Sequence, residues 1–156
     1  MGIDPGSLKT GFGLVQSRCG ALSHVAHGTI VLDNKKIIAE RIRDLSHDLS
    51  SIIKKYQPTV AVIEDVFLFN NPRSALVLGQ ARGAALAMLG LHNIYAHTLS
   101  PTRVKSLVAG RGRADKYQVA QLVALQLNIA LPSSPDASDA LALAVAQGYL
   151  LTKRVE

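Results

Sequence analysis

The sequence predicts an α/β fold, a mixed sheet covered by helices, and three observations carry that expectation. Three extended runs crowd into the first 32 residues as a hairpin-rich front. Apolar residues then recur at three- and four-residue steps at Ile38, Ile42, Leu45, Leu49, Ile52 and Tyr56, which is one face of a helix. Beyond them, short apolar runs at 59–63 and 93–98 alternate with helical stretches, the order of crossover units that bring strands parallel.

Each element has a local cause. Ile3 and Asp4 are extended, so their side chains leave on opposite faces, Ile3 towards a core and Asp4 away from it. Pro5 holds Asp4 extended, and Gly6 permits the turn that ends the strand. Residues 10–16 return as a second strand, with Gly11 and Gly13 leaving bare backbone beside the acid. Residues 22–32 give a third, bounded by Gly20 and by Asp33-Asn34, and Pro58 ends the helix that follows. The run 59–63 is apolar on both faces, as a buried strand is, and closes on Glu64. Asn70-Asn71-Pro72 reads as a cap with proline in the first turn, opening a helix to about Gly90. After the strand at 93–98, Ser100-Pro101 opens a helix that Gly110 and Gly112 break, and Asp115 caps the next. Pro132 and Pro135 bracket the start of a last helix over 136–151.

With 156 residues, 48% of them hydrophobic, the chain suffices for one domain with a real core, and residues 1–156 are expected to form a single domain. No apolar run is expected to reach the roughly 18 residues that crossing a membrane needs, and no leader segment is visible. The beginning looks clipped, since Met1 already lies in the first strand. Cys19 is the single cysteine, which excludes an internal disulfide and a cysteine-built zinc site, and a reducing cytoplasm is the simplest home. The net charge of +6 is unevenly spread: residues 66–114 hold no acid, while Arg73, Arg82, Arg103, Lys105, Arg111 and Arg113 fall among them. Such a one-signed stretch attracts a polyanion, nucleic acid first. Sparse aromatic residues (no Trp, four Tyr, three Phe) argue against a stacking platform for single strands.

Four carboxylates stand at element ends against this basic field. Glu64 closes a buried strand, where a lone carboxylate is costly unless paired or bound to metal. Were the first and fourth strands parallel neighbours, Asp4 would meet it at their carboxyl ends, where open α/β sheets place ligands. Asp136 and Asp139, three apart at a helix start, lie about 60° apart around its axis and can aim at one place. Capping explains the last two taken singly, and a turn explains Asp4; taken together the four suit hard cations facing a phosphodiester, with carboxylates binding two Mg²⁺.

The motifs Gly-Ile-Asp-Pro-Gly at 2–6, Ile-Glu-Asp-Val-Phe at 63–67, Leu-Gly-Gln-Ala-Arg-Gly at 78–83, Gly-Arg-Ala-Asp-Lys at 112–116 and Asp-Ala-Ser-Asp-Ala-Leu-Ala at 136–142 span the chain. In this order they resemble those of the RuvC-type Holliday junction resolvases. The resemblance implies a ribonuclease H-like fold, a mixed five-stranded sheet flanked by helices. It also implies a cytoplasmic, nucleoid-associated homodimer that makes paired symmetric nicks in four-way DNA junctions during recombination and repair. The implied cofactor is Mg²⁺, two ions per subunit with Mn²⁺ as a substitute, and the RuvA–RuvB branch-migration complex follows as a partner. On this resemblance the catalytic, metal-binding acids fall on Asp4, Glu64, Asp136 and Asp139. Lys116 is a catalytic and DNA-contacting lysine, Lys105 a second DNA contact, and Phe67 a junction-probing phenylalanine. Arg73, Arg111 and Arg113, from the acid-free stretch, complete the expected DNA surface.

Asp65 should face away from Glu64 and reads as structural. The five histidines have no metal-ligand spacing near the acids, and Arg82 is open between a partner subunit and DNA. Ala75, Leu78, Gly79, Arg82, Gly83 and Leu86 form a stripe suited either to a partner helix or to the chain's own sheet. The competing readings are a related nuclease acting on ribosomal RNA, a junction-binding module that does not cut, and an actin-like nucleotide hydrolase, which needs a second phosphate loop and a far longer chain.

Overall fold

The computed structural model describes residues 1–65 and 72–152. Among them five strands form one sheet in the order β3-β2-β1-β4-β5. The front is antiparallel: β1 (Gly2–Asp4) pairs with β2 (Lys9–Arg18), and β2 with β3 (Ala21–Val31). Cys19 and Gly20, both with positive φ (46° and 80°), make the β2–β3 turn, as the two central residues of a twisted hairpin turn require. The crossover half is parallel, β4 (Val60–Glu64) lying between β1 and β5 (Tyr95–Leu99). The expected mixed sheet is thus observed, with the first and fourth strands as parallel neighbours.

Helices cover both faces. On one side α1 (Ile38–Tyr56) and α2 (Pro72–Leu91) bury Leu45, Leu49, Ala85 and Leu89 against Ile3 and Ile63. On the other, α3 (Pro101–Ala109), α4 (Lys116–Leu127) and α5 (Pro135–Thr152) bury Val104, Val123, Leu141 and Val145 against Val62. Leu141 is fully enclosed, which contributes about 1.5–3 kcal/mol. Because strand side chains alternate, Ile3 and Ile63 on one face send Asp4 and Glu64 to the α5 face.

Helix ends follow the expected chemistry. The Ser100 hydroxyl accepts from the Arg103 amide behind Pro101, and Asp115 closes a capping box with Gln118. Helix α1 stops at Gln57 in the left-handed region, one residue before Pro58, whereas Ile37 supplies no side-chain cap at its start. The expected Asn70-Asn71 cap lies outside the described residues.

Two features go beyond what the pattern gave. Helix α5 lies directly on bare backbone: a Cβ on Gly11 would sit 1.9 Å from the Asp136 carbonyl oxygen, and one on Gly2 2.1 Å from that of Ala140. Helix α2 corrects the membrane expectation, since at 20 residues and mean hydropathy 1.3 it is long and apolar enough by composition to cross one. Its small and apolar residues run around the whole helix: Ala81, Ala85 and Leu89 face the sheet, while Leu76 and Leu91 stand 63% and 73% exposed.

Candidate active site

The parallel register of β1 on β4 pairs Gly2 with Val62 and Ile3 with Ile63, so one step further brings Asp4 beside Glu64. The turn after Asp4 is tied down by the Gly6 amide, which donates to the buried Thr10 hydroxyl at 3.5 Å. The end of β4 is held from behind. Arg82 on α2 donates from Nε to the Glu64 carbonyl (3.2 Å) and from a terminal nitrogen to Thr98 Oγ1 (3.3 Å). The Asp65 amide donates to the Leu99 carbonyl at 2.9 Å, extending the pairing of β4 with β5 past the acid.

Burial, then the charges of Glu64 and Asp139, push the Asp4 carboxyl from 3.8 up to about 8. Burial raises Glu64 as well, and its hydrogen bond with Asp4 opposes that rise. Burial thus disfavours two negative charges on the Asp4–Glu64 pair. Two such carboxyls together at the end of a sheet carry unspent affinity for positive charge.

Helix α5 supplies the other two acids, and they divide. Asp139 Oδ2 accepts from Lys116 Nζ of α4 at 2.6 Å, and this bond raises the lysine's pKa. Asp136 Oδ2 instead accepts from Ser134 Oγ at 3.2 Å, and Ser134 meets Thr29 of β3 at 2.8 Å. Asp4, Glu64 and Asp139 thus share one electrostatic neighbourhood with Lys116, while Asp136 sits one turn back, its carbonyl against Gly11. With Asp139 drawn to Lys116 and Asp136 to Ser134, no three His, Cys, Asp or Glu side chains among the described residues close on one point. The donor chemistry nevertheless fits hard divalent cations: every donor is a carboxylate oxygen, and a cation would offset the burial cost and the repulsion that lift Asp4 and Glu64.

The basic residues surround this cluster unevenly. Lys105 on α3 lines a small cleft of about 40 Å³ with Glu64, Lys116 and Asp139. Arg111 and Arg113 stand exposed between α3 and α4, where Arg111 reaches Gln118 Oε1 at 3.4 Å. Arg73 is exposed on the first turn of α2. Phe67 lies outside the described residues. Sequence reasoning missed Ser134 as the holder of Asp136, although a serine two residues before a helix acid was a visible signal. It also left open the role of Arg82, whose bond to a backbone carbonyl no side-chain pattern announces. A larger hollow of about 530 Å³ opens at the other end of β1, around Met1, Val60 and Gln147, and holds none of these residues.

Comparisons with known proteins point to one family. The family model described as crossover junction endodeoxyribonuclease RuvC matches residues 1–147. The protein of that name from Citrifermentans bemidjiense is 43% identical over 149 residues, covering 96% of this chain and 91% of the relative. That of Xanthomonas oryzae pv. oryzae is 39% identical over 151 residues, covering 96% and 87%. Among solved structures, Thermus thermophilus RuvC in complex with Holliday junction substrate superposes with a TM-score of 0.92 at 24% identity, over 98% of this chain and 94% of that one. The yeast mitochondrial Holliday junction resolvase Ydc2 gives 0.72 at 14% identity, over 97% and 78%. At such identities the two structures speak for the fold.

Proposed function

The chain belongs to the RuvC family of crossover junction endodeoxyribonucleases, and on that footing we propose that Asp4, Glu64, Asp136 and Asp139 bind the metal with which it resolves Holliday junctions. Nucleases of this family are metal-dependent. The observation that carries the reading is the meeting of the Asp4 and Glu64 carboxyls at the carboxyl ends of parallel strands, beside the Lys116–Asp139 pair. The finer assignment is Mg²⁺, two ions per subunit, with Mn²⁺ as a substitute. Bound there, the ions supply a nucleophile at neutral pH and offset charge on the leaving oxygen.

The chain's own residues hold and orient. Lys116 is 77% exposed while Asp139 is only 25% exposed, so an arriving phosphate can reach the lysine and compete with Asp139 for it. Asp139 would then be available as one of the carboxylates that would hold the metal, and Lys116 would balance the charge developing on the phosphate. Lys105, Arg73, Arg111 and Arg113 hold the DNA backbone, and Phe67 probes the junction. One domain with one site cuts one strand, so symmetric resolution calls for a twofold dimer matching the symmetry of the junction. The outward face of α2 suits that contact, because Leu76 is exposed and Gly79 and Gly83 leave open space. The setting is the bacterial cytoplasm, at the nucleoid, with RuvA–RuvB as partner.

The test is the Asn variant of each acid, assayed on a synthetic immobile junction. Cutting is expected to vanish while gel-shift binding holds or tightens, since each change removes a metal ligand and a repulsion together. Near-parent cutting by two or more variants would overturn the assignment. Cutting of ribosomal RNA in preference to the junction would instead favour the rival nuclease.

A further inference from the structure

We infer that the hollow beside Lys116 is a nucleobase pocket, in which Tyr117 stacks on one base next to the bond being cut. This rests on the reading of the acid cluster as a DNA-cutting site and extends it to a residue that reading does not use. The Lys116–Asp139 pair forms a ridge with an opening on either side. One side is the small cleft shared with Glu64 and Lys105. The other is an open hollow of about 240 Å³ between the first turns of α4 and α5, and its walls include Tyr117, Ala120, Leu131 and Pro132. Lys116 and Asp139 line both.

Size, chemistry and position agree on the occupant. The hollow is smaller than the roughly 300 Å³ at which pockets for drug-sized ligands begin, and so suits about one ring system. Tyr117 is 62% exposed and Leu131 44%, so an aromatic face and an apolar neighbour are presented to solvent. The approach is basic, through Lys116 itself and the exposed Arg111 and Arg113 on the turn that leads into α4. A strand drawn across the ridge with its phosphate at Lys116 carries the adjoining base to the Tyr117 side. Unpaired or strained bases near a strand exchange leave the stack at least cost, and stacking on an aromatic ring accepts any base. One tyrosine makes a single-base stop, which agrees with the scarcity of aromatic residues elsewhere in the chain.

The test crosses protein variants with DNA lesions in single-turnover cutting of an immobile junction. Each nucleotide flanking the cut is replaced in turn by an abasic analogue. In the parent, one position is expected to lose about tenfold in rate, within the range for a lost base–aromatic stack. In Tyr117→Ala that position should cost nothing further, and Tyr117→Phe should restore the dependence. Leu131→Glu, which places a charge in the wall, should mimic Tyr117→Ala while the melting temperature of each protein stays at the parent's value. Equal abasic losses in the parent and in both Tyr117→Ala and Leu131→Glu would overturn the pocket. A parent that cuts no junction would overturn the reading of the acid cluster instead.

Discussion

Asp4→Asn is expected to stabilise the metal-free protein at neutral pH, and by more as the pH rises. Folding lifts the Asp4 carboxyl from 3.8 to about 8, so the folded chain keeps a proton that the unfolded chain sheds. Below 3.8 both states hold it and the acid costs nothing; stability then falls as the pH climbs, and the loss is complete above about 8. At about 1.4 kcal/mol per pKa unit, the roughly three units up to a neutral assay set a ceiling of ~4 kcal/mol. Asp4 is only half-buried and Lys116 answers part of its charge, which brings the figure to about 2 kcal/mol. For a chain of this length that is about 4–8 °C in Tm. Calorimetry in EDTA reads it: the variant should melt above the parent near pH 7, and the gap should shrink by more than half near pH 5. Added Mg²⁺ should raise the parent more than the variant and narrow the gap. A variant that melts at or below the parent near pH 7, or a gap that ignores pH, would refute the account of a buried acid pair awaiting a cation.

Three further outcomes are expected. Gly11→Ala drives a Cβ to 1.9 Å from the Asp136 carbonyl oxygen, and should lower stability by about 2–3 kcal/mol in urea titration. Lys105→Ala and Lys116→Ala should each lower the slope of log K against log salt by about one, measured by anisotropy on a labelled junction; unchanged slopes would remove both lysines from the DNA surface. Gly83→Arg projects from the open face of α2 and should dissociate a dimer in sedimentation, leaving mainly singly nicked circles from a cruciform plasmid; an intact dimer would move the interface elsewhere.

The parts of the fold legible in the sequence were those with local causes. Pro58 after α1, Ser100-Pro101 and Asp115 act within a few residues of themselves, and each marks an observed helix end. The meeting of Asp4 with Glu64 was legible because alternation fixes the face and parallel pairing fixes the end. Asp136 and Asp139 were readable only as sharing a helix face, because which partner captures each depends on Ser134 and Lys116, held by other elements. The α2 stripe was legible as a period and not as a surface. In the structure it splits, with Gly79 and Gly83 facing open space while Leu86 packs against the core and Arg82 reaches Glu64. Periodicity cannot make that division, since small and apolar residues run all round this helix.

The seating of α5 on the bare backbone of Gly2 and Gly11 also bears on how the molecule breathes. A helix packed through side chains can lift or slide as rotamers change, but one whose carbonyls rest on a strand's α-carbons has no soft layer to yield. Amide protons in the buried turns beyond Ala137 should therefore exchange with solvent only when the whole domain opens, while those in the exposed first turn of α2 exchange early. The half of the acid set carried by α5 would then persist for as long as the chain is folded at all, so that building the site and building the fold become one event.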